Sequence, residues 1–272
     1  MGWWSRGAAG RGGFGGAALL VPGTGLVFRM LPMLRVFSVA FWAFIGITSP
    51  VFFLGALVIW LVTLPFDRRR VVLHLYSSAW ATCYVYLNPL WRLKVRGRDR
   101  LPWRGSAVLV ANHASLVDIL VLFGLFRPFK WVSKREIFKI PVIGWNMRLN
   151  DYVPLVRGSG ASVRRMMEHC DRLLAAGAPV MIFPEGQRSQ DGTLRAFKNG
   201  AFDLAVRHKV PVFPIAVHGT GRALPKHGLV LREPADMRIE VLPPLDPAGF
   251  ADTDALRDAT RQAISTALSA GK

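Results

Sequence analysis

The chain has 272 residues, which is enough for one substantial domain and a smaller appendage. Hydrophobic residues make up 51% of it, yet its net charge is +18. Such a charge suits anionic lipid headgroups, phosphorylated substrates or an acidic carrier protein. Nucleic acid is not expected as a partner, because no nucleic-acid-binding motif accompanies the charge. The two cysteines, Cys83 and Cys170, form no CxxC pair and predict neither a disulfide scaffold nor a metal site.

The first third of the chain is predicted to be a disordered tail followed by membrane-associated helices. Residues 1–29 contain the run GAAGRGGFGGAA, which has no amphipathic period, and we expect them to be disordered. Residues 30–91 form the membrane-associated segment. No charged residue occurs at 36–66, a stretch longer than the roughly 20 residues needed to cross a bilayer. Pro50 near its middle leaves two alternatives open: one kinked span, or a re-entrant hairpin of two short helices.

The residues that follow this apolar stretch bear on its orientation. Asp67 and three arginines at 68–70 end it, and many further cations come after them. Because positively charged flanks tend to stay in the cytoplasm, we expect a cell (inner) membrane protein whose larger domain lies on the cytoplasmic face. Aromatic residues recur at helical spacing in 71–91 and predict an interfacial helix, with a helix packed into the protein core as the alternative.

Strands and helices alternate over residues 92–272. Apolar runs and alternating patterns predict strands at 91–97, 106–111, 129–133, 151–156, 179–183, 210–217 and 237–242. Apolar residues at helical spacing predict helices at 116–126, 160–176 and 252–269. This alternation predicts an α/β fold in which helices cover both faces of a largely parallel or mixed sheet.

The stretch VANHASLVDIL at 110–120 places His113 five residues before Asp118. Ser115 begins an S-x-x-D pattern, which is typical of a helix N-terminus with Ser115 as N-cap. His113 would then lie in the preceding turn, from which it can fold back onto Asp118. The carboxylate would fix the imidazole tautomer and leave the other ring nitrogen as a base. Capping without any chemistry is the alternative that this stretch alone leaves open.

A second polar stretch, FPEGQRS, follows the predicted strand at 179–183. Residues just beyond the carboxyl end of a sheet strand are where α/β folds hold ligands. Gly186 would let the backbone come close to a substrate, and the Arg188 guanidinium suits a phosphate. Glu185 lies between the strand and these two residues. An ordinary surface turn is the alternative.

Together these residues resemble the glycerolipid acyltransferase family, typified by bacterial 1-acyl-sn-glycerol-3-phosphate acyltransferases. Four ordered blocks of that family can be placed at 105–217. They are N-H-x4-D, present as ANHASLVD; a block ending in arginine, present as YVPLVRG with Arg157; F-P-E-G-T-R-S, present as FPEGQRS; and V-P-[VI]-x-P-[VI], present as VPVFPI. Gln187 replaces the usual threonine, and the second block lacks the common F-I-x-R form. Both departures concern the acceptor side of the site.

The resemblance implies a membrane-associated O-acyltransferase of phospholipid biosynthesis that needs no cofactor. Its donor would be acyl-CoA or acyl-carrier protein, and its acceptor a lysophospholipid, namely 1-acyl-glycerol-3-phosphate, which gives phosphatidic acid. An anionic membrane surface would be a further partner. In this family's terms His113 is the base and Asp118 its orienting carboxylate, while the acceptor is held by Arg157, Glu185, Gly186 and Arg188.

Three alternatives remain at this stage. The enzyme could acylate another lysolipid, such as a lyso-ornithine lipid. It could be a hydrolase that uses Ser115 or Ser189, although the chain has no G-x-S-x-G motif for an acyl-enzyme. It could also be a membrane-anchored binding protein with a degenerate site, which the presence of both His113 and Asp118 disfavours.

Overall fold

The computed structural model describes residues 24–189, 193–224, 229–231 and 233–270. Helices and strands alternate along this part of the chain. In order they are α1 (Thr24–Thr63), α2 (Val71–Leu87), β1 (Trp91–Arg96), β2 (Val108–Ala111), α3 (Val117–Leu122), β3 (Lys130–Lys134), α4 (Ile143–Leu149), β4 (Val153–Leu155), α5 (Gly160–Ala175), β5 (Val180–Ile182), α6 (Gly200–His208), β6 (Val212–His218), α7 (Thr220–Ala223), β7 (Ala235–Val241) and α8 (Thr253–Ala270).

The strands form one sheet in the order β1-β7-β6-β2-β5-β3-β4. Strands β6 and β7 pair antiparallel, and the other neighbouring strands pair parallel. Strands β1 and β7 therefore run opposite to the other five. The predicted largely parallel or mixed sheet is confirmed, although several strands are shorter than predicted, such as β4 within 151–156.

Helices cover both faces of the centre of the sheet. In β2, Val108 and Val110 point into the core formed with α5, α6 and α8. Leu109 and Ala111 point into the opposite core, which includes residues of α2 and α3. Burial on both faces explains why this strand is an uninterrupted apolar run rather than an alternating one.

Strands β2, β5, β3 and β4 all run in the same direction, so their carboxyl ends meet at one edge of the sheet. We call this edge the carboxyl edge and the opposite one the amino edge. The segments that leave β2, β5 and β4 at the carboxyl edge carry His113, Glu185 and Arg157 respectively. The fold thus brings together three stretches that are far apart in the sequence.

The N-terminal segment does not form the re-entrant hairpin of two short helices that was one alternative for 36–66. It is one continuous helix, α1, which contains Pro32 and Pro50 and begins at Thr24, ahead of the expected end of the disordered tail. The remainder of that tail, 1–23, lies outside the described residues. Contacts from α2 stabilise the helix at Pro50: the Tyr84 hydroxyl hydrogen-bonds to the Thr48 hydroxyl at 2.8 Å and the Ser49 hydroxyl at 3.3 Å. No separate pair of short helices forms there.

One face of α1 packs against the rest of the protein over most of its described length. The backbone N–H of Leu231 donates to the Ser38 hydroxyl, the Trp42 indole donates to the Leu229 carbonyl, and Ala56 is fully buried. The opposite face is apolar and exposed. Within the described chain, Pro32–Thr63 is the one helix that is long and apolar enough to cross a membrane, with a mean hydropathy of 2.2.

Helix α2 packs one face into the protein core, as in the second interpretation of 71–91, and its position at a membrane interface stays a prediction. About half of its side chains are buried, Trp80, Tyr84 and Val85 among them. The exposed apolar residues at its end are Tyr86 and Leu87. Its aromatic residues recur at helical spacing because they pack between α1 and the sheet.

Candidate active site

His113 lies just beyond the carboxyl end of β2, in the turn that leads into α3. Its Nδ1 is 2.8 Å from Oδ2 of Asp118, and the side chain is 7% exposed. The imidazole stacks on the Phe183 ring with a centroid distance of 4.1 Å and an interplanar angle of 14°. Within the described part of the chain, Nε2 has no hydrogen-bond partner. The ring is thus fixed by one nitrogen and one face, and Nε2 is the nitrogen left for a substrate.

Asp118 is held by the first turn of α3 and is fully buried. Its Oδ2 accepts the backbone N–H groups of Ala114 and Ser115 at 2.7 and 2.8 Å, in addition to the His113 contact. These three hydrogen bonds to one oxygen fix the orientation of the carboxylate toward the imidazole. An ionised Asp118 would keep the proton on Nδ1 of His113, so that Nε2 can act as a base.

The predicted hydrogen bond between Asp118 and the Ser115 backbone is present, but the helix begins one residue later than predicted. Asp118 reaches back to the N–H of Ser115 as predicted, but the helix starts at Val117, and Leu116 is the residue that precedes it. The Ser115 hydroxyl accepts from the N–H of Val117 at 3.2 Å and donates to the Leu224 carbonyl at 2.7 Å. One cluster of hydrogen bonds therefore both caps the helix and places the His113–Asp118 pair.

Asn112 fixes the start of the turn that carries His113 to the neighbouring strand β6. Its side-chain amide donates to the Val217 carbonyl at 3.0 Å and accepts the Val217 N–H at 2.8 Å. The side chain therefore continues the β2–β6 pairing one residue beyond the end of β2. Its role here is to position the turn, which the sequence analysis did not foresee.

Glu185 joins the loop after β5 to the same turn. One carboxylate oxygen accepts the His113 N–H at 2.7 Å, and the other accepts the Arg195 N–H at 3.1 Å. Burial raises the pKa of Glu185, while these two hydrogen bonds oppose that rise. Because both oxygens bond to backbone, the structure makes Glu185 a positioning residue. Direct contact of Glu185 with a substrate stays a prediction.

Gly186 adopts a left-handed conformation with φ of +71°, which favours glycine. A Cβ at this position would lie 3.3 Å from the Nζ of Lys198. The glycine therefore allows both the tight turn and the close approach of a lysine ammonium to the loop. Gly186 is half-buried at the carboxyl edge, and the approach of a substrate to its backbone stays a prediction.

Three cations lie at the carboxyl edge of the sheet, the same edge as the His113–Asp118 pair. Arg157 follows β4, Arg188 follows β5, and Lys134 ends β3. Burial lowers the pKa of Arg157, the Glu136 carboxylate opposes this effect, and the nearby charge of Arg188 adds to it. Lys134 lies 3.7 Å from Glu136 as an exposed ion pair, which links it to the same group. Three cations and one carboxylate give this surface a net positive charge.

Comparison with known proteins adds to this geometry. A family model described as Acyltransferase matches residues 92–218. A 1-acyl-sn-glycerol-3-phosphate acyltransferase of Chlamydomonas reinhardtii is 38% identical over 236 residues, which cover 86% of this chain and 70% of that protein. The chain belongs to the acyltransferase family.

Two further relatives extend this assignment. The chloroplastic 1-acyl-sn-glycerol-3-phosphate acyltransferase BAT2 of Brassica napus is 37% identical over 205 residues, and the chain spans 58% of its length. The crystal structure of the 1-acyl-sn-glycerophosphate (LPA) acyltransferase PlsC from Thermotoga maritima matches with a TM-score of 0.68 and 26% identity. That match covers 89% of this chain and 95% of the other.

The acyltransferase brings its predicted site residues to one edge of the sheet. Asp118 and Glu185 each contact His113 directly, through its ring and its backbone N–H respectively, and Arg157 and Arg188 lie close enough for their charges to interact. Lys134 was missed as a site residue. The sequence did hold an indication of it: Lys134 follows a predicted strand, and predicted site residues also follow the strands at 151–156 and 179–183.

Ser115 does not have the surroundings of a hydrolase nucleophile. It is fully buried, and its hydroxyl donates to the Leu224 carbonyl rather than to His113. Ser189 is also buried, and its backbone N–H donates to the His113 carbonyl at 2.9 Å. Among the described residues no group of three or more His, Cys, Asp and Glu is placed to hold a metal ion.

Proposed function

We propose that this acyltransferase transfers a fatty acyl group from a thioester carrier to the hydroxyl of 1-acyl-glycerol-3-phosphate, forming phosphatidic acid. The observation that carries the proposal is the His113–Asp118 pair, whose Nε2 lies at the same sheet edge as the cations Lys134, Arg157 and Arg188. The printed names of the relatives, which are 1-acyl-sn-glycerol-3-phosphate acyltransferases, support the same acceptor.

The reaction would proceed by direct transfer. Nε2 of His113 removes the proton from the acceptor hydroxyl as its oxygen attacks the thioester carbonyl carbon. The C–O bond forms, the C–S bond breaks, and the thiolate leaves with the proton that the imidazolium returns. Asp118 stabilises the imidazolium between these two proton transfers. No acyl-enzyme and no cofactor enters this sequence.

The cations would hold the acceptor by its phosphate. Arg157 and Arg188 offer guanidinium forks that suit phosphate oxygens, and Lys134 adds a point charge. Each charge-assisted hydrogen bond of this kind contributes about 1.5–3 kcal/mol. Under this proposal Gly186 lets the acceptor approach the loop backbone, while Glu185 holds that loop against the catalytic turn.

A panel of acceptors offered with one donor tests the acceptor assignment. We expect 1-acyl-glycerol-3-phosphate to have the highest kcat/KM, and the matched monoacylglycerol, which lacks only the phosphate, to lose at least about tenfold. A lyso-ornithine lipid or lysophosphatidylcholine that reacts equally well would contradict it. A protein that binds acceptors but transfers to none of them would be the degenerate binding protein instead.

The donor is proposed to be acyl-CoA or acyl-carrier protein, since both present the same thioester to Nε2. The two are separated by measuring kcat/KM with equal acyl chains on each carrier. Hydrolysis of either thioester without an acceptor, at the rate of transfer, would indicate a hydrolase and not a transferase.

The exposed face of α1 supports a membrane-bound enzyme. Side chains at Val36, Val39, Ile47, Leu54 and Leu61 are between 55% and 74% exposed and lie along one stripe of the helix. A helix of 40 residues is about 60 Å long, twice the hydrocarbon thickness of about 30 Å. Because its other face packs on the protein, we propose that α1 lies along one leaflet of the cell membrane.

Membrane topology can be measured directly. A helix in one leaflet keeps an N-terminal tag and the sheet domain on the same side, which we propose to be the cytoplasmic side. In sealed inverted vesicles, protease should then remove both, and in intact cells neither. Cleavage of the tag alone in intact cells would show that α1 crosses the bilayer.

A further inference from the structure

A second cationic site lies at the amino edge of the sheet, away from His113. A pocket of about 330 Å³ opens there between the α1–α2 turn, the first residue of β3 and the face of α5. Its charged or titratable residues are Arg68, Arg69, Lys130, Asp151, His169 and Arg172. We call it the amino-edge pocket. None of these residues belongs to the proposed acyl-transfer site.

The lysine of the amino-edge pocket is unusual because it is almost completely buried. Lys130 is 3% exposed, and its Nζ donates to the Asn150 carbonyl at 2.6 Å. Burial lowers the pKa of Lys130 to about 8, the carboxylates of Asp151 and Asp67 oppose the shift, and the charges of Arg70 and Arg69 add to it. A buried ammonium normally has a carboxylate in contact with it. Here its hydrogen-bond partner is a neutral carbonyl.

The carboxylate of the pocket is already shared. Asp151 accepts a hydrogen bond from His169 at 3.1 Å, and that bond together with nearby cations holds the pKa of Asp151 below its usual value despite burial. Arg69 donates to the Gly177 carbonyl at 2.9 Å, which holds it at the pocket wall. Arg68 and Arg172 are exposed and have no ion-pair partner in the described part of the chain. Positive charge therefore exceeds negative charge in the pocket.

The pocket is built by ordered elements rather than by loose surface side chains. His169, Arg172, Leu173 and Ala176 are spaced i, i+3, i+4 and i+7, so they form one face along the end of α5. Lys130 is fixed by its strand pairing with Val180 of β5. A ligand with several anionic oxygens would meet donors from three separate elements.

An apolar surface begins beside this pocket. Val58, Leu61, Val62, Leu64 and Phe66, at the end of α1 and in the turn before Arg68, are all more than half exposed. Cations next to an exposed apolar surface match an amphiphile whose chains lie on the apolar part and whose headgroup meets the charges. A soluble anion would make no use of the apolar neighbours.

We propose that the amino-edge pocket binds the phosphate headgroup of an anionic membrane phospholipid, at a site separate from the acyl acceptor site. The inference rests on the membrane association proposed above. The bound lipid would hold the α1–α2 turn at the membrane surface. Its chains would lie along the end of α1, and its phosphate would compensate the charge of Lys130, Arg68 and Arg172.

The test is a titration of phosphatidylglycerol into the full-length protein in neutral-detergent micelles, followed by the thermal unfolding midpoint. The double variant Arg68→Gln/Arg172→Gln removes two exposed pocket cations. Arg164→Gln/Arg165→Gln removes two exposed cations from the first turns of the same α5, outside the pocket lining, and is matched in charge. Lys130→Met tests the buried charge, but the exposed pair keeps the test valid if that variant fails to fold.

A lipid site predicts a saturable rise in the midpoint with phosphatidylglycerol and none with phosphatidylcholine. The apparent lipid affinity should fall by at least about tenfold in the pocket variant and by much less in the α5 control, because each nearby cation contributes about 1 kcal/mol. Equal losses in both variants would mean diffuse attraction and would overturn the site. A rise of the same size with inorganic phosphate at constant ionic strength would make the ligand free phosphate and overturn the lipid assignment.

Acyl transfer measured in neutral detergent separates this inference from the proposed function. The pocket variant should retain wild-type kcat there, since Arg68 and Arg172 lie outside the transfer site. If phosphatidylglycerol stabilises a wild-type protein that transfers no acyl group, the lipid-site proposal stands and the proposed acyltransferase activity is wrong. Loss of kcat in the pocket variant, with lipid binding unchanged, would overturn the separation of the two sites.

Discussion

Two buried histidines at opposite edges of the same sheet differ in what their partners allow. His113, at the carboxyl edge, has its Nδ1 2.8 Å from the Asp118 carboxylate. His74 of α2, toward the amino edge, has its Nδ1 at the same distance from the Tyr152 hydroxyl. Burial, together with the charge of Lys130, lowers the pKa of His74 to about 3. The same ring, at the same hydrogen-bond distance, thus faces a carboxylate in one case and is kept neutral beside a phenol in the other.

The comparison shows that a second group decides the chemistry of a buried histidine. A carboxylate can stabilise an imidazolium, whereas burial raises the pKa of Tyr152 well above its usual value, so its phenol stays neutral. The surroundings differ in the same sense. His74 packs against Phe129 at 4.5 Å between ring centroids and lines a core, while His113 follows a strand end where a substrate can approach.

The largest expected effect separates the two histidines by activity. His113→Ala should lower kcat by about 10⁴-fold, because the general base is removed while the fold and membrane binding persist. His74→Phe should leave kcat close to wild type and reduce the free energy of unfolding by about 1–3 kcal/mol, since the Tyr152 hydroxyl loses its buried partner. Steady-state kinetics with a purified thioester, alongside thermal unfolding, would measure both. Comparable kcat values for the two variants would contradict the proposal that His113, and not His74, is the general base.

The next effect tests whether the carboxylate partner makes the difference. Asp118→Asn keeps the shape of the side chain but removes the charge that stabilises the imidazolium, so kcat should fall by about 10²–10³-fold. The acceptor KM should change little, because Asp118 is fully buried and contacts the ring through Nδ1 and not through Nε2. Tyr152→Phe is the matched change at the other histidine and should not alter kcat. If kcat is unchanged in Asp118→Asn and only KM changes, Asp118 acts only through the fold.

The sequence predicts the sheet and the His113–Asp118 pair because both depend on local patterns: apolar runs for the strands, and the S-x-x-D signature for the turn. Other features depend on contacts between distant residues. Glu185 meets the His113 N–H across 72 positions, and α1 continues through Pro50 because Tyr84 of another helix contacts it. The burial of Lys130 likewise follows from the packing of α5 and the α1–α2 turn around β3, and a strand pattern carries no sign of it.

A smaller effect concerns the acceptor and sharpens the contrast between the two cationic edges. Arg188→Ala should raise the acceptor KM by about 10–100-fold with a modest change in kcat, because a charge-assisted contact to phosphate is lost. Arg188→Lys should recover only part of it, since a lysine cannot offer the planar fork. Arg172→Gln, which removes a cation at the amino edge, is the control. An unchanged acceptor dependence in Arg188→Ala would place the phosphate elsewhere.

The last expected effect concerns stability alone, with no change in kcat: a pH dependence of unfolding from His74. Its pKa is about 3 when folded and about 6.5 when unfolded, so between these values the unfolded chain binds a proton that the folded protein does not. Its contribution to stability should therefore be complete above about pH 6.5 and fall by about 1.4 kcal/mol per unit as the pH drops toward 3. Thermal midpoints of wild type and His74→Phe in neutral detergent should converge as the pH falls from 7.5 to about 5. Tyr152→Phe keeps the buried imidazole and should keep the wild-type slope; parallel curves for wild type and His74→Phe would show that His74 takes up its proton in the folded protein.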